Sequence, residues 1–246
     1  MGENNSILEG HSDSEKTAYL GAIASIATAD RQASGEELDY ISGLCEAANL
    51  SPEQTATVQK AATDLSGNEL TKNLDVLKNS DLKFSLVADL MTFAKADNDY
   101  NQAENDSIHK IATYLGVDQQ QFSLLDQFAE KATSTGVNAT QNDPQNIVNA
   151  SGIKDKLESA GINSSSLIKG LISIAAPMIL SRIFSRGAGS GSGSIGRGGL
   201  GGALGGSLGG LLGGGGLGSL IGMLSGGRGL GSAGGLLGRI LGGGGF

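Results

Sequence analysis

Two stretches decide how this chain folds: "ATADRQASGEELDYI" at residues 27–41 and "AKADNDYNQAENDSI" at residues 94–108. Each ends an apolar run with Ala-Asp, places a Glu seven residues after the Asp, and returns to Ile four residues later. An offset of 67 superimposes them, pairing Asp30 with Asp97, Glu37 with Glu104 and Ile41 with Ile108. The same offset pairs Ile26 with Phe93, Leu44 with Ile111 and Leu50 with Val117, so the apolar register repeats along with the acids. Apolar residues fall three and four apart at Tyr19, Leu20, Ile23, Ile26 and Ala27, and again at Leu38, Ile41, Leu44, Cys45 and Ala48. That is the spacing of a buried helical stripe. Ser51, Pro52 and Gln54 form an N-cap, a first-turn proline and a capping box. No stretch alternates like a strand. Residues 12–134 are therefore expected to be all-α, a pseudo-twofold helical bundle of two related helix–loop–helix halves around one core.

Outward from this bundle the composition changes. Residues 1–134 carry 9 Lys and Arg against 22 Asp and Glu, while residues 135–246 carry 8 against 3. An acidic folded part offers no basic field for nucleic acid. Residues 135–163 read as a polar linker containing a short helix, and 164–186 as an amphipathic, largely apolar helix flanked by Lys169, Arg182 and Arg186. Residues 187–246 form a glycine-rich segment, expected to be largely irregular or membrane-associated. Within it, residues 198–227 hold no charge and repeat glycine every four residues at Gly201, Gly205, Gly209 and Gly213. That pattern suits close helix approach in a bilayer, self-association, or coil in water. The expected partners are an anionic membrane surface or other copies of the chain; no small-molecule substrate is evident. The start of the chain has no secretory signal, which gives the expectation of a cytoplasmic protein, peripheral to or anchored in the inner membrane.

The candidate chemistry is in the two acidic loops. Asp30 and Asp97 follow helix C-termini, where the macrodipole disfavours a carboxylate by roughly 0.3–1 kcal/mol unless a cation compensates. Asp97, Asp99 and Asn101 alternate and Glu104 follows, offering hard oxygen donors on one turn. The competing reading is capping: Ser34 with Glu37, and Asn101 with Glu104, have the layout of an N-cap with its N3 acid. Gln102 and Ile108 stand where an EF-hand needs Gly and Glu, so the loop is not an EF-hand. The lone Cys45 excludes a disulfide framework, and neither His11 nor His109 has a partner at metal-ligand spacing. No nucleophile–base constellation supports an enzyme.

The twice-used pattern A-D-(G)-x-x-S-x-x-E-x-x-x-I, with Asn101 at the Ser position of the second copy, within a helical region of this size, resembles the TerB-like domain of tellurite-resistance and stress-response proteins. The resemblance implies a helical bundle that binds a divalent cation, with Ca²⁺ the first expectation and Mg²⁺ or Mn²⁺ next. Carried over by position, it implicates Asp30, Glu36 and Glu37 in the first loop, and Asp97, Asp99, Asn101 and Glu104 in the second. The family's Gly after the Asp is Arg31 in one copy and Asn98 in the other. Arg31 puts a positive charge in the first loop, which favours the second as the ion site. The expected role is a non-catalytic metal-binding module, tethered by the glycine-rich segment, in a stress or tellurite-resistance response. The alternative is a self-assembling scaffold driven by that segment.

Overall fold

A computed structural model describes residues 6–28, 33, 35–96, 102–134 and 152–173. Among these residues there are nine helices and no strand: α1 (Asp13–Ala27), α2 (Gly35–Ala47), α3 (Pro52–Thr63), α4 (Asn68–Leu77), α5 (Leu82–Ala96), α6 (Gln102–Tyr114), α7 (Gln119–Ser134), α8 (Lys154–Ser159) and α9 (Ser164–Gly170).

Helices α1 and α5 are apolar nearly all round, as helices at the centre of a bundle must be. Every residue from Ala18 to Ala27 is buried, and so is every residue from Phe84 to Ala94. Around them, α1 packs against α3 and α4 and meets α5, while α5 packs against α6 and α7. Full burial of a Leu, Ile or Phe side chain stabilises by about 1.5–3 kcal/mol, so the repeated apolar register carries most of the folding energy. The four apolar pairs matched by the offset of 67, Ile26 with Phe93, Ile41 with Ile108, Leu44 with Ile111 and Leu50 with Val117, are buried or half-buried in one core.

The repeat extends to the loop chemistry. Helix α2 closes on Asn49, whose φ of 58° is left-handed; Leu50 N–H donates to Cys45 O (3.0 Å) and Asn49 N–H to Glu46 O (2.9 Å). Helix α6 closes on Gly116 (φ 75°), with Val117 N–H on Ala112 O (2.9 Å) and Gly116 N–H on Thr113 O (3.1 Å). Both are Schellman closures, and both lead into a capping box. In the first, Ser51 caps α3 reciprocally with Gln54; in the second, Asp118 caps α7 with Gln121. The ends of α1 and α5 are tied to the third helix of each half by different chemistry. Thr28 Oγ1 donates to Ala62 O (2.6 Å), and at the matching position Lys95 Nζ lies 2.8 Å from Asp126 Oδ1.

The core is larger than residues 12–134. Before α1, Ile7 and Leu8 are buried, and Ile7 N–H donates to Ala47 O at the end of α2 (3.0 Å). After α7, residues 152–173 lie on the bundle. Ile153, Leu157, Ile162, Leu167, Leu171 and Ile172 all join the same core. The short helix expected in this region is α8, closed by a third Schellman turn at Gly161 (φ 77°). The single helix expected from residue 164 is interrupted: α9 ends at Gly170, and Leu171 is extended (φ −78°, ψ 112°) where the chain turns onto α5. Residues 174–186 and the glycine-rich segment lie outside the described residues.

Candidate functional site

The helix bounds place the two acidic loops in matching frames. Helices α2 and α6 begin at Gly35 and Gln102, 67 residues apart, so Glu37 and Glu104 are each the third residue of their helix. An acid there is favoured by the positive end of the macrodipole and sits where a capping box needs it. Glu104 is 5% exposed, whereas Glu37 is half-buried. Glu36 falls in the first turn of α2. Asp30, Asp97, Asp99 and Asn101 lie outside the described residues. Among the described residues no group of three or more His, Cys, Asp and Glu side chains is placed to hold a metal ion. What the fold places in matching frames is a pair of carboxylates, Glu37 and Glu104, each in the first turn of its helix.

The dipoles at the far side of these loops are handled unequally. Helix α1 has no basic residue in its last turn, while α5 has Lys95, which is already engaged with Asp126. Next to the first loop, Tyr40 on α2 is 6% exposed, and its hydroxyl has no hydrogen-bond partner. Burial alone pushes its ionisation well above the usual tyrosine range.

The two histidines and the cysteine lie in different surroundings. His109 lies exposed on α6, with Nε2 3.0 Å from Gln119 Oε1 and its ring 4.7 Å from that of Phe122. His11 is half-buried, and desolvation holds its pKa below the ordinary value against the opposing pull of Glu15. Cys45 is fully buried, which pushes its thiol up to about 11 and leaves it a core residue.

One ionisable centre was not singled out in the sequence. Asp89, midway along α5, is 0% exposed, yet its carboxylate accepts four hydrogen bonds. Oδ2 receives Tyr19 O–H from α1 (2.6 Å) and Ile172 N–H (2.8 Å). Oδ1 receives Ser173 N–H (3.2 Å) and Ser173 O–H (2.5 Å). Burial raises the Asp89 pKa to about 6 despite these four donors, and it raises Tyr19 as well. The signal was present as a single acid inside "LKFSLVADLMTFAKA", on the same face as Leu82 and Ser85. Its partners, about 70 and 84 residues away, could not be read from that stretch.

No helix among the described residues is long and apolar enough to cross a membrane. Comparison with curated proteins and with solved structures returns no match to the chain. A family model does match: residues 16–127 fit the one described as tellurite resistance protein TerB. That span runs from the first turns of α1 to the middle of α7 and takes in both halves of the repeat. With its all-helical, internally doubled architecture and its two acidic loops, this part of the chain is a TerB domain.

Proposed function

We propose that the TerB domain is a non-catalytic module that binds a divalent cation, Ca²⁺ before Mg²⁺ or Mn²⁺, through Asp97, Asp99, Asn101 and Glu104. Asp30, Glu36 and Glu37 form the related, weaker set, because Arg31 already supplies a cation in that loop. The observation that carries this reading is the matched start of α2 and α6, which gives both loops a Glu at the third helical position. A carboxylate held by a helix N-terminus loses little entropy on ligating an ion, and several oxygen donors on one turn suit a hard cation. Capping accounts for the two glutamates alone and leaves Asp30, Asp97 and Asp99 without a role.

In this reading the glycine-rich segment attaches the module to an anionic membrane surface, or to other copies of itself. The uncharged run at 198–227 and the basic residues Lys169, Arg182 and Arg186 support the membrane. The setting is a tellurite-resistance or stress response, as the family's description suggests.

Thermal unfolding of the full chain with Ca²⁺, Mg²⁺, Mn²⁺ or Zn²⁺, beside Asp97→Asn, tests the cation site. Binding to the native state alone raises stability by RT ln(1 + [L]/Kd), about 2.7 kcal/mol at a hundredfold excess over Kd. The expected result is a shift with one hard cation that Asp97→Asn abolishes. No shift with any ion, and a mutant as stable as wild type, would return these acids to capping and surface charge.

A further inference from the structure

The four bonds on Asp89 join three parts of the chain at one buried point, and three of the four come from Ile172 and Ser173. Helix α9 and the residues that follow it lie along a single stripe of α5, while α8 packs against α7 and α9. A Cβ at Gly170 would overlap Ser85 Oγ and come within 2.8 Å of Leu82 Cδ2. Ser85 Oγ donates to Leu167 O (3.0 Å), and Asp89 receives Ile172 and Ser173. Leu82, Ser85 and Asp89 are three and four residues apart, so one helical face holds the strap from Leu167 to Ser173. Helix α7 adds one bond, from Gln121 Nε2 to Ala160 O (3.0 Å).

In the first half of the molecule α4 occupies the comparable place, lying on α1 with Asn73 against Gly21. The two differ in how they are held. Helix α4 is 10 residues long, follows α3 after a four-residue turn, and buries Leu70, Leu74 and Leu77 completely. The strap holds two helices of 6 and 7 residues and, after the break at Leu171, the helical residues Ile172 and Ser173; it is separated from α7 by residues 135–151. Helices that short do not persist alone in water. The strap also buries Ile153, Leu157, Ile162, Leu167, Leu171 and Ile172, but its last two residues close on a carboxylate of α5.

We propose that residues 152–173 are a latch on α5: they dock and release as one unit while the remainder of the described bundle stays folded, so that Ile172 and Ser173 are either held on Asp89 or freed from it. The physical reason is the response of Asp89 to opening. Removing one partner of a buried charge from a closed core strands the charge at a cost of several kcal/mol. Here departure of the strap also admits water to the carboxylate, which keeps Tyr19 and regains its hydration. The open state therefore carries no stranded charge, and opening costs less than unfolding α1 or α5. The raised pKa of Asp89 in the closed state points the same way, since ionisation opposes burial.

Hydrogen exchange of the full chain, read by mass spectrometry at neutral pH, tests this. In wild type, peptides from 152–173 should exchange at least about tenfold faster than those from the centres of α1 and α5. Gly170→Val drives a wedge between strap and α5 from the strap side. It should speed exchange of 152–173 by about a further tenfold and leave α1 and α3 unchanged. Ser173→Ala, which removes one of the four bonds, should act in the same direction and less strongly. Equal protection of strap and α1 in wild type would overturn the proposal. So would a Gly170→Val chain in which α1 and α3 lose protection together with the strap, or which does not fold, because 152–173 would then be an inseparable part of the core.

Discussion

Asp89→Asn separates the cost of burying a charge from the value of the bonds the charge accepts. The wild-type carboxyl is raised from 3.8 to about 6 in the folded chain, chiefly by burial. A carboxyl with a raised folded pKa contributes stability that is complete below its unfolded pKa and is lost as pH rises through the folded value. At 1.36 kcal/mol per pH unit, the loss between pH 4 and pH 7 amounts to roughly 2–3 kcal/mol. Asparagine has no such dependence. It does place an N–H₂ group against either Ile172 N–H or Ser173 N–H, and a buried donor without an acceptor costs about 1–3 kcal/mol. Wild type should therefore be more stable than Asp89→Asn by about 1–3 kcal/mol near pH 4. The gap should close or change sign by pH 7. Urea unfolding of both proteins, followed by helical circular dichroism from pH 4 to pH 7, gives the difference directly. Using the difference matters, because His11 acts in the opposite sense in the same window. Its pKa is lowered by burial, so it costs stability as the medium becomes more acidic, but equally in both proteins. A gap that stays constant or widens with pH would refute the reasoning. The four donors would then hold the carboxylate more strongly than burial opposes it.

Other consequences can be checked independently. Tyr40→Phe should be neutral or stabilising by about 1 kcal/mol in urea unfolding, since it removes a buried hydroxyl with no partner. Gly21→Ala brings a Cβ to 2.5 Å from Asn73 Nδ2, so its gain of about 1 kcal/mol in helix propensity should emerge only beside Asn73→Ala. A double-mutant cycle reads that coupling. Cys45 should resist a thiol reagent at neutral pH until the chain is denatured, because its thiol is buried and pushed up to about 11.

Much of the architecture was legible because the repeat is a local pattern written twice. The pairing of Ile41 with Ile108 and Leu44 with Ile111 followed from spacing alone, and all four side chains are buried. Ser51 and Gln54 announced the start of α3, and they cap it reciprocally. The candidate loops were legible in composition, and the frame that presents them followed from the offset. Residues 152–173 were harder. Their buried residues are divided between two short helices and a break at Leu171, so no single period runs through them. The apolar run that follows Lys169 suits a membrane interface as well as it suits the side of a bundle. Asp89 was illegible for a different reason. An acid in an apolar helix signals a buried polar contact, but the partners that satisfy it come from both ends of the fold.

The position of the strap after α7 in the chain also orders its assembly during synthesis. Translation delivers α1 to α7 before residues 152–173 leave the ribosome, and contacts within each half of the repeat are close in sequence. A nascent bundle thus meets the cell with Asp89 still in water, at the bottom of an uncovered apolar face. That face closes when Ile172 and Ser173 arrive, 83 and 84 residues after the side chain they cover. Chains that stall or are cut in the polar stretch before residue 152 would keep the face open. They would be the aggregation-prone and chaperone-bound species of this protein.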